Sequence, residues 1–112
     1  MTEINIHTRY STISHEHLDD LVSWVTGEYP DSGLVLAECS DGLWFIEVDY
    51  GHAFDSFLGV SKPKCIPYLE PNFYSSRKEA LTTALQLIKQ VYKNLNEEKI
   101  LEYLKREDAA SL

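Results

Sequence analysis

The 112-residue chain is poor in cysteine and glycine, and each shortage narrows the chemistry that it supports. Its two cysteines, Cys39 and Cys65, stand in no C-x-x-C pair and no zinc-finger spacing, so we expect both to be reduced in a cytosolic protein. The five glycines form no phosphate-cradling motif, which leaves nucleotide binding without support. No apolar run approaches the roughly 20 residues that span a bilayer, and the N-terminus shows no signal or lipidation pattern. We therefore predict a cytoplasmic protein without a cofactor and without a membrane partner.

Positive charge is nearly missing from the first half of the chain. Residues 1–60 contain eleven acids but one base, Arg9, whereas residues 61–112 contain seven acids and nine bases. The net charge of −8 is therefore concentrated in the first half. Such a field repels phosphate backbones and attracts basic proteins. We predict a basic protein partner and no binding to nucleic acid.

The composition is that of an ordinary globular domain, with 44% apolar and 25% charged residues. We predict one α+β domain over residues 1–112, with 106–112 as a frayed tail. Alternating apolar residues predict a first strand over residues 3–13. Ser14 has the chemistry of an N-cap, so we expect a first helix that begins there and ends at Gly27.

The second half of the chain contains the clearest helix signal. Ser76 and Glu79 form a capping box, which opens a helix whose apolar stripe runs to Leu95. Asn96 is expected to cap a final short helix. Prolines exclude a long central strand before this helix, so residues 54–60 form either another strand or a packed loop. The order β-α-β-β-(β)-α-α predicts an α+β fold, with a small antiparallel β-meander of three or four strands packed against two or three helices.

Residues 34–49 predict a β-hairpin that is closed by a two-residue Asp41-Gly42 loop. In that register, Trp44, Ile46 and Val48 face the core. The opposite face then carries three apolar and three acidic side chains: Leu34, Leu36, Phe45, Glu38, Glu47 and Asp49. We interpret this face as an exposed apolar anchor inside an acidic rim, which is typical of protein interfaces. The alternative is that the terminal helices cover the face and leave the acids at its margin.

Two groups of residues raise the question of metal or enzyme chemistry. His15, His17 and Asp19 resemble a metal cluster, but on a helix the two histidines point about 200° apart, and only His15 and Asp19 could share an ion. We therefore predict a solvated first helical turn and no metal. Asp41 followed by Glu47-Val48-Asp49 resembles the acidic hairpin of restriction-like nucleases, but Asp49 stands where that pattern requires a lysine. We predict that the chain is not an enzyme, and a metal-dependent enzyme that uses the hairpin carboxylates is the less favoured alternative.

In size, acidity and simplicity, the chain resembles the immunity proteins that neutralise bacterial toxin nucleases. The resemblance implies an inhibitor that presents acids to a basic toxin surface and associates quickly by electrostatic steering. A regulatory or assembly module that binds a host protein is the alternative, and the sequence leaves the oligomeric state open. The predicted partner-binding residues lie on the hairpin or just after it: Leu34, Leu36, Glu38, Asp41, Phe45, Glu47, Asp49, Tyr50 and Asp55.

Overall fold

A computed structural model describes residues 9–65 and 67–110 of the chain. The elements follow in the order β1 (Thr12–His17), α1 (Asp19–Thr26), β2 (Gly33–Cys39), β3 (Trp44–Tyr50), α2 (Arg77–Val91) and α3 (Glu97–Ala110). The strands form one antiparallel sheet in the order β1-β2-β3. This confirms the predicted α+β fold and its element order. Among the helices of the described residues, none is both long and apolar enough to cross a membrane.

The first helix begins later than the sequence predicts, and β1 extends past the predicted end of the first strand at Ile13. Ser14 lies inside β1, where its hydroxyl donates to the Glu38 carboxylate at 2.9 Å instead of capping a helix. Helix α1 begins at Asp19. The prediction of a helix start at Ser14 is wrong because pairing with β2 holds this segment in an extended conformation. Residues 3–8 of the predicted strand lie outside the described residues.

The hairpin turn is one residue longer than predicted, and this changes the register of β2 against β3. The Cys39 amide donates to the Leu43 carbonyl at 2.8 Å, which closes a three-residue loop. Gly42 occupies the left-handed position of that loop with φ 91°, a conformation that glycine adopts without a steric penalty. Phe45 therefore pairs with Ala37, and the predicted two-residue loop and its register are wrong.

The observed register turns β2 over relative to the prediction, because a shift of one residue exchanges the two faces of a strand. Leu34 and Leu36 now share a face with Ile46 and belong to the main core, against which Trp44 packs while partly buried. Phe45 lies on the opposite face and is 0% exposed. The predicted exposed anchor of Leu34, Leu36 and Phe45 is therefore wrong, since all three side chains are buried.

Both faces of the sheet are covered, which explains why the outer face offers no exposed anchor. Buried residues of the three helices pack on the face that carries Leu36. On the other face, Phe45 contacts Tyr10 and Phe73 with ring centroids 5.2 and 5.8 Å apart, respectively. Tyr68 packs against the same small cluster.

The chain between β3 and α2 forms a packed loop instead of a further strand. Phe54 and Val60 are buried in the main core. Ser61 and Tyr74 each make a backbone bridge to β3, and these bridges provide hydrogen-bond partners for part of the outer edge of that strand. This loop thus settles the choice that the sequence left open for residues 54–60.

The two C-terminal helices begin where their capping residues predict. The Ser76 hydroxyl accepts a bond from the Glu79 amide at 3.2 Å, and Asn96 accepts one from a backbone amide of α3 at 3.1 Å. The helix α3 continues to Ala110 and is longer than the short helix expected from the sequence. Fraying of residues 106–112 stays a prediction.

Candidate functional site

Polar side chains from several parts of the chain meet at one end of the sheet, where β1 and β3 terminate and β2 begins. These side chains come from the end of β1, the first turn of α1, the loop between α1 and β2, and the last residues of β3 with the loop that follows. We call this region the polar end. It consists of His17, Asp19, Asp20, Tyr29, Asp31, Asp49, Tyr50 and Asp55.

The centre of the polar end is a buried carboxylate. Asp19 is 6% exposed, and its Oδ2 accepts a hydrogen bond from the Tyr29 hydroxyl. Its Oδ1 is buried and has no hydrogen-bond partner among the described residues. Beside it, His17 Nδ1 lies 3.0 Å from Asp49 Oδ2. One ligand atom from each of His17, Asp19 and Asp49 lies within 4.8 Å of the others.

The carboxylates make the polar end electrically negative, and their charges contribute to the raised pKa values of Tyr29 and Tyr50. The hydrogen bond to Asp19, followed by burial and the charges of Asp19 and Asp20, raises the pKa of Tyr29 well above its usual range. Burial first, and then the charges of Asp19 and Asp49, raises the pKa of Tyr50. Both phenols are therefore neutral hydrogen-bond donors at physiological pH.

A close backbone contact fixes the loop at this end. Gly51 has φ 81°, and a Cβ atom at this position would overlap Ser32 and the carbonyl of Asp31. Only glycine fits here without strain. The Ser32 hydroxyl accepts from the Ala53 amide at 3.1 Å, and its own amide donates to the Tyr92 hydroxyl at 3.0 Å. The α1–β2 loop is thus tied both to the chain after β3 and to the end of α2.

A depression of about 420 Å³ lies beside the polar end, between β3 and the loop that follows it. His52 and Asp55 form an exposed pair there, with Nδ1 and Oδ2 3.0 Å apart. The Lys62 ammonium donates to the backbone carbonyls of Asp55 and Phe57, both at 2.8 Å. Cys65 lines the same depression as a free, exposed cysteine.

The structure brings together only part of the predicted partner-binding set. The depression is lined by four of the nine residues, namely Glu47, Asp49, Tyr50 and Asp55, of which Glu47 is buried. Glu38 and Asp41 lie near the hairpin turn, which is roughly 20 Å away along β3. The remaining three, Leu34, Leu36 and Phe45, are the buried residues described above.

Five residues of the polar end are absent from the predicted partner-binding set: His17, Asp19, Asp20, Tyr29 and Asp31. Sequence reasoning placed His17 on a helix, whereas a strand assignment for the same residues would have brought His17 beside the start of β2. No local signal points to the bond between Tyr29 and Asp19, which joins the two ends of a helix–loop segment.

Comparisons with protein-family models, curated proteins and solved structures returned no match. A fold class alone does not specify a function. The functional inference therefore rests on the geometry and charge of the polar end.

Proposed function

We propose that the protein is a non-enzymatic binding protein that uses the carboxylates of the polar end to capture a basic protein partner. The observation that carries this proposal is the convergence of acids that are far apart in the sequence. Four of them, contributed by α1, β3 and two loops, are exposed: Asp20, Asp31, Asp49 and Asp55. Clustered exposed charge of one sign accelerates the capture of an oppositely charged protein.

Bases are scarce in the half of the chain that forms the polar end. Seven of the ten bases lie between Arg77 and Arg106, in or between α2 and α3. The depression beside the polar end is lined by two bases, Lys62 and Lys64, and the Lys62 ammonium donates to two backbone carbonyls. The segment from Arg77 to Ala110 also holds six acids, so the excess of negative charge lies in residues 1–60, which supply every residue of the polar end. A polarised charge distribution orients a basic partner during approach as well as attracting it.

An aromatic side chain supplies contact area inside this negative surface. Tyr29 is 62% exposed although its hydroxyl is held by Asp19. A tyrosine that is already fixed in place loses little conformational freedom on binding, and tyrosine is enriched among the residues that dominate binding energy. Tyr29 takes the place that the sequence gave to Phe45 as the central contact.

The specific role that we propose is that of an immunity protein or inhibitor for a toxin nuclease. Such enzymes carry lysine and arginine surfaces that bind nucleic acid, and an acidic surface competes for them. The net charge of −8 and the acids of the polar end would allow the protein to compete with nucleic acid for such a basic surface. The inhibitor would cover the nuclease site sterically, without chemistry of its own.

A matched pair of charge reversals tests the proposal. Asp31→Lys/Asp55→Lys changes the polar end, and Asp41→Lys/Glu70→Lys changes the net charge equally outside it. In each pair, one acid contacts an exposed side chain, His52 for Asp55 and Arg9 for Glu70. Tagged wild type and both variants are used to recover partners from a lysate of the source organism, and association with a recovered partner is measured at low and high salt.

We expect a basic partner whose association slows about tenfold or more in the polar-end variant and with added salt, while the control variant stays close to wild type. Nuclease activity of the partner, blocked by wild type, would support the inhibitor role. An acidic or neutral partner, or an equal loss in both variants, would remove the polar end as the binding surface. A partner without nuclease activity would instead favour a regulatory or assembly role.

A further inference from the structure

The polar end contains three groups that commonly bind metal ions, and they are brought together by the tertiary fold. His17 ends β1, Asp19 opens α1 and Asp49 lies near the end of β3. One ligand atom from each lies within 4.8 Å of the other two. In the described part of the chain, this is the one group of three or more such residues that is this close.

A second observation points to a ligand at this place. Asp19 is more than nine-tenths buried, and its Oδ1 has no hydrogen-bond partner in the described residues. A buried carboxylate oxygen without a hydrogen bond is unfavourable, so such atoms normally accept a hydrogen bond or bind a metal ion. The Tyr29 hydroxyl occupies Oδ2 alone, which leaves Oδ1 as the oxygen that would coordinate a cation.

We propose that His17, Asp19 and Asp49 bind a divalent transition-metal ion, and that zinc is the ion that fits best. One imidazole nitrogen and two carboxylate oxygens make a mixed set that suits zinc, whereas calcium and magnesium prefer sites made of oxygen alone. Three protein ligands leave a fourth tetrahedral position for water or a further ligand. The two carboxylates neutralise the charge of the ion.

The spacing requires a small inward movement that the surroundings permit. Ligands about 2.1 Å from a tetrahedral zinc ion lie roughly 3.4 Å apart, which is closer than the present upper limit of 4.8 Å. The His17 and Asp49 side chains are 56% and 31% exposed, so both have room to rotate. Asp19 is the fixed ligand, because burial and the bond from Tyr29 hold it in place. Tyr29 is thus a positioning residue, comparable to the outer partners that orient metal-binding carboxylates in other proteins.

The test is calorimetric titration of the purified, chelator-treated protein with zinc chloride, and separately with manganese, magnesium and calcium chloride. All proteins carry Cys65→Ser, since this exposed thiol is itself a zinc ligand. The variants are His17→Ala, Asp49→Asn, Asp19→Asn and Tyr29→Phe. The matched control is His52→Ala, which removes the histidine of the other His–Asp pair, equal in spacing at 3.0 Å but outside the group of three.

We expect one zinc ion per chain, bound more tightly than the other three metals. His17→Ala, Asp49→Asn and Asp19→Asn should each weaken zinc binding at least tenfold, and Tyr29→Phe about tenfold, whereas His52→Ala should change it less than twofold. Zinc should also raise the melting temperature of wild type but not of Asp19→Asn, a variant of equal size whose folding is checked by circular dichroism.

Three results would overturn the site. These are no stoichiometric zinc binding at millimolar metal, an equal loss in His52→Ala, and tighter binding of magnesium or calcium than of zinc. The measurement needs no protein partner, so its outcome is independent of the proposed binding function. Asp31→Lys/Asp55→Lys alters none of the three ligands, which keeps the two experiments separate.

Discussion

The two ends of the sheet are built on different physical principles. At the hairpin end, around the turn that contains Gly42, Phe45 packs against Tyr10 and Phe73 in a small aromatic cluster. At the polar end, hydrogen bonds and charges replace this packing, and a carboxylate oxygen of Asp19 is buried without a hydrogen-bond partner among the described residues, as is the hydroxyl of Tyr10 at the hairpin end. Apolar packing contributes stability directly, whereas a buried carboxylate oxygen without a hydrogen bond lowers it. We place function at the polar end, because unsatisfied groups that lower stability concentrate at functional sites.

A tyrosine at each end shows the same contrast. Burial is the main cause that raises the pKa of Tyr68, which packs near Phe45. For Tyr29, the main cause of the raised pKa is the hydrogen bond to the Asp19 carboxylate. The pKa values of the two phenols are therefore raised by different causes, and the substitution Asp19→Asn distinguishes between them.

The largest expected effect tests the packing at the hairpin end. Phe45→Ala should lower the free energy of unfolding by about 3–5 kcal/mol, because it leaves a cavity in a fully buried cluster. Leu43→Ala, which truncates a 37% exposed side chain two residues away, should cost about 1 kcal/mol or less. Urea denaturation followed by circular dichroism measures both. Similar costs for the two variants would mean that Phe45 faces solvent and that the originally predicted register is right.

An intermediate effect compares two of the four glycines with left-handed backbones, Gly42 at the hairpin end and Gly51 at the polar end. Gly51→Ala should cost about 2–4 kcal/mol, because the left-handed conformation is strained for alanine and the new Cβ meets Ser32 and the backbone of Asp31. Gly42→Ala should cost only about 1–2 kcal/mol, since its φ is similar but no atom lies within 4 Å of the new Cβ. Thermal and urea unfolding give both values. Equal costs would show that the loop at the polar end is not tightly held.

The smallest expected effect is a loss of folding stability at alkaline pH. A raised phenol pKa in the folded state means that the unfolded chain releases the proton first as pH rises. The stabilisation from Tyr29 is therefore complete below about pH 10, the ordinary tyrosine pKa, and is lost as pH rises above it. Asp19→Asn should lower the pKa of Tyr29 and leave that of Tyr68 unchanged.

Ultraviolet titration near the tyrosinate band measures these pKa values, with Tyr29→Phe and Tyr68→Phe used to assign the two transitions. If Asp19→Asn shifts both tyrosines equally, or neither, the two phenols share one cause and the contrast between the ends fails.

The sequence sufficed for the fold class and for the start of α2, because these depend on periodicity and on short-range capping by Ser76. It failed for the hairpin register, because a three-residue and a two-residue turn differ by one position around Gly42, and local propensity does not separate them. It placed Asp49, Tyr50 and Asp55 in the candidate site because they are adjacent in the sequence. It considered Asp19 only as a helical neighbour of His15, whereas the position of Asp19 depends on where β1 ends and on a contact made by a distant loop.

Three polar contacts described for this fold join residues that are 60 or 61 positions apart: Arg9 with Glu70, Glu16 with Arg77, and Ser32 with Tyr92. On the ribosome, the sheet is therefore fully synthesised well before the helix that covers it. The 41 residues between Tyr50 and Val91, the ends of β3 and α2, take roughly 2–8 s to be translated. During that interval, the apolar face with Leu34, Leu36 and Ile46 has no α2 to cover it. We expect nascent chains that end before Arg77 to be chaperone clients, and chains that include α2 to leave the chaperone.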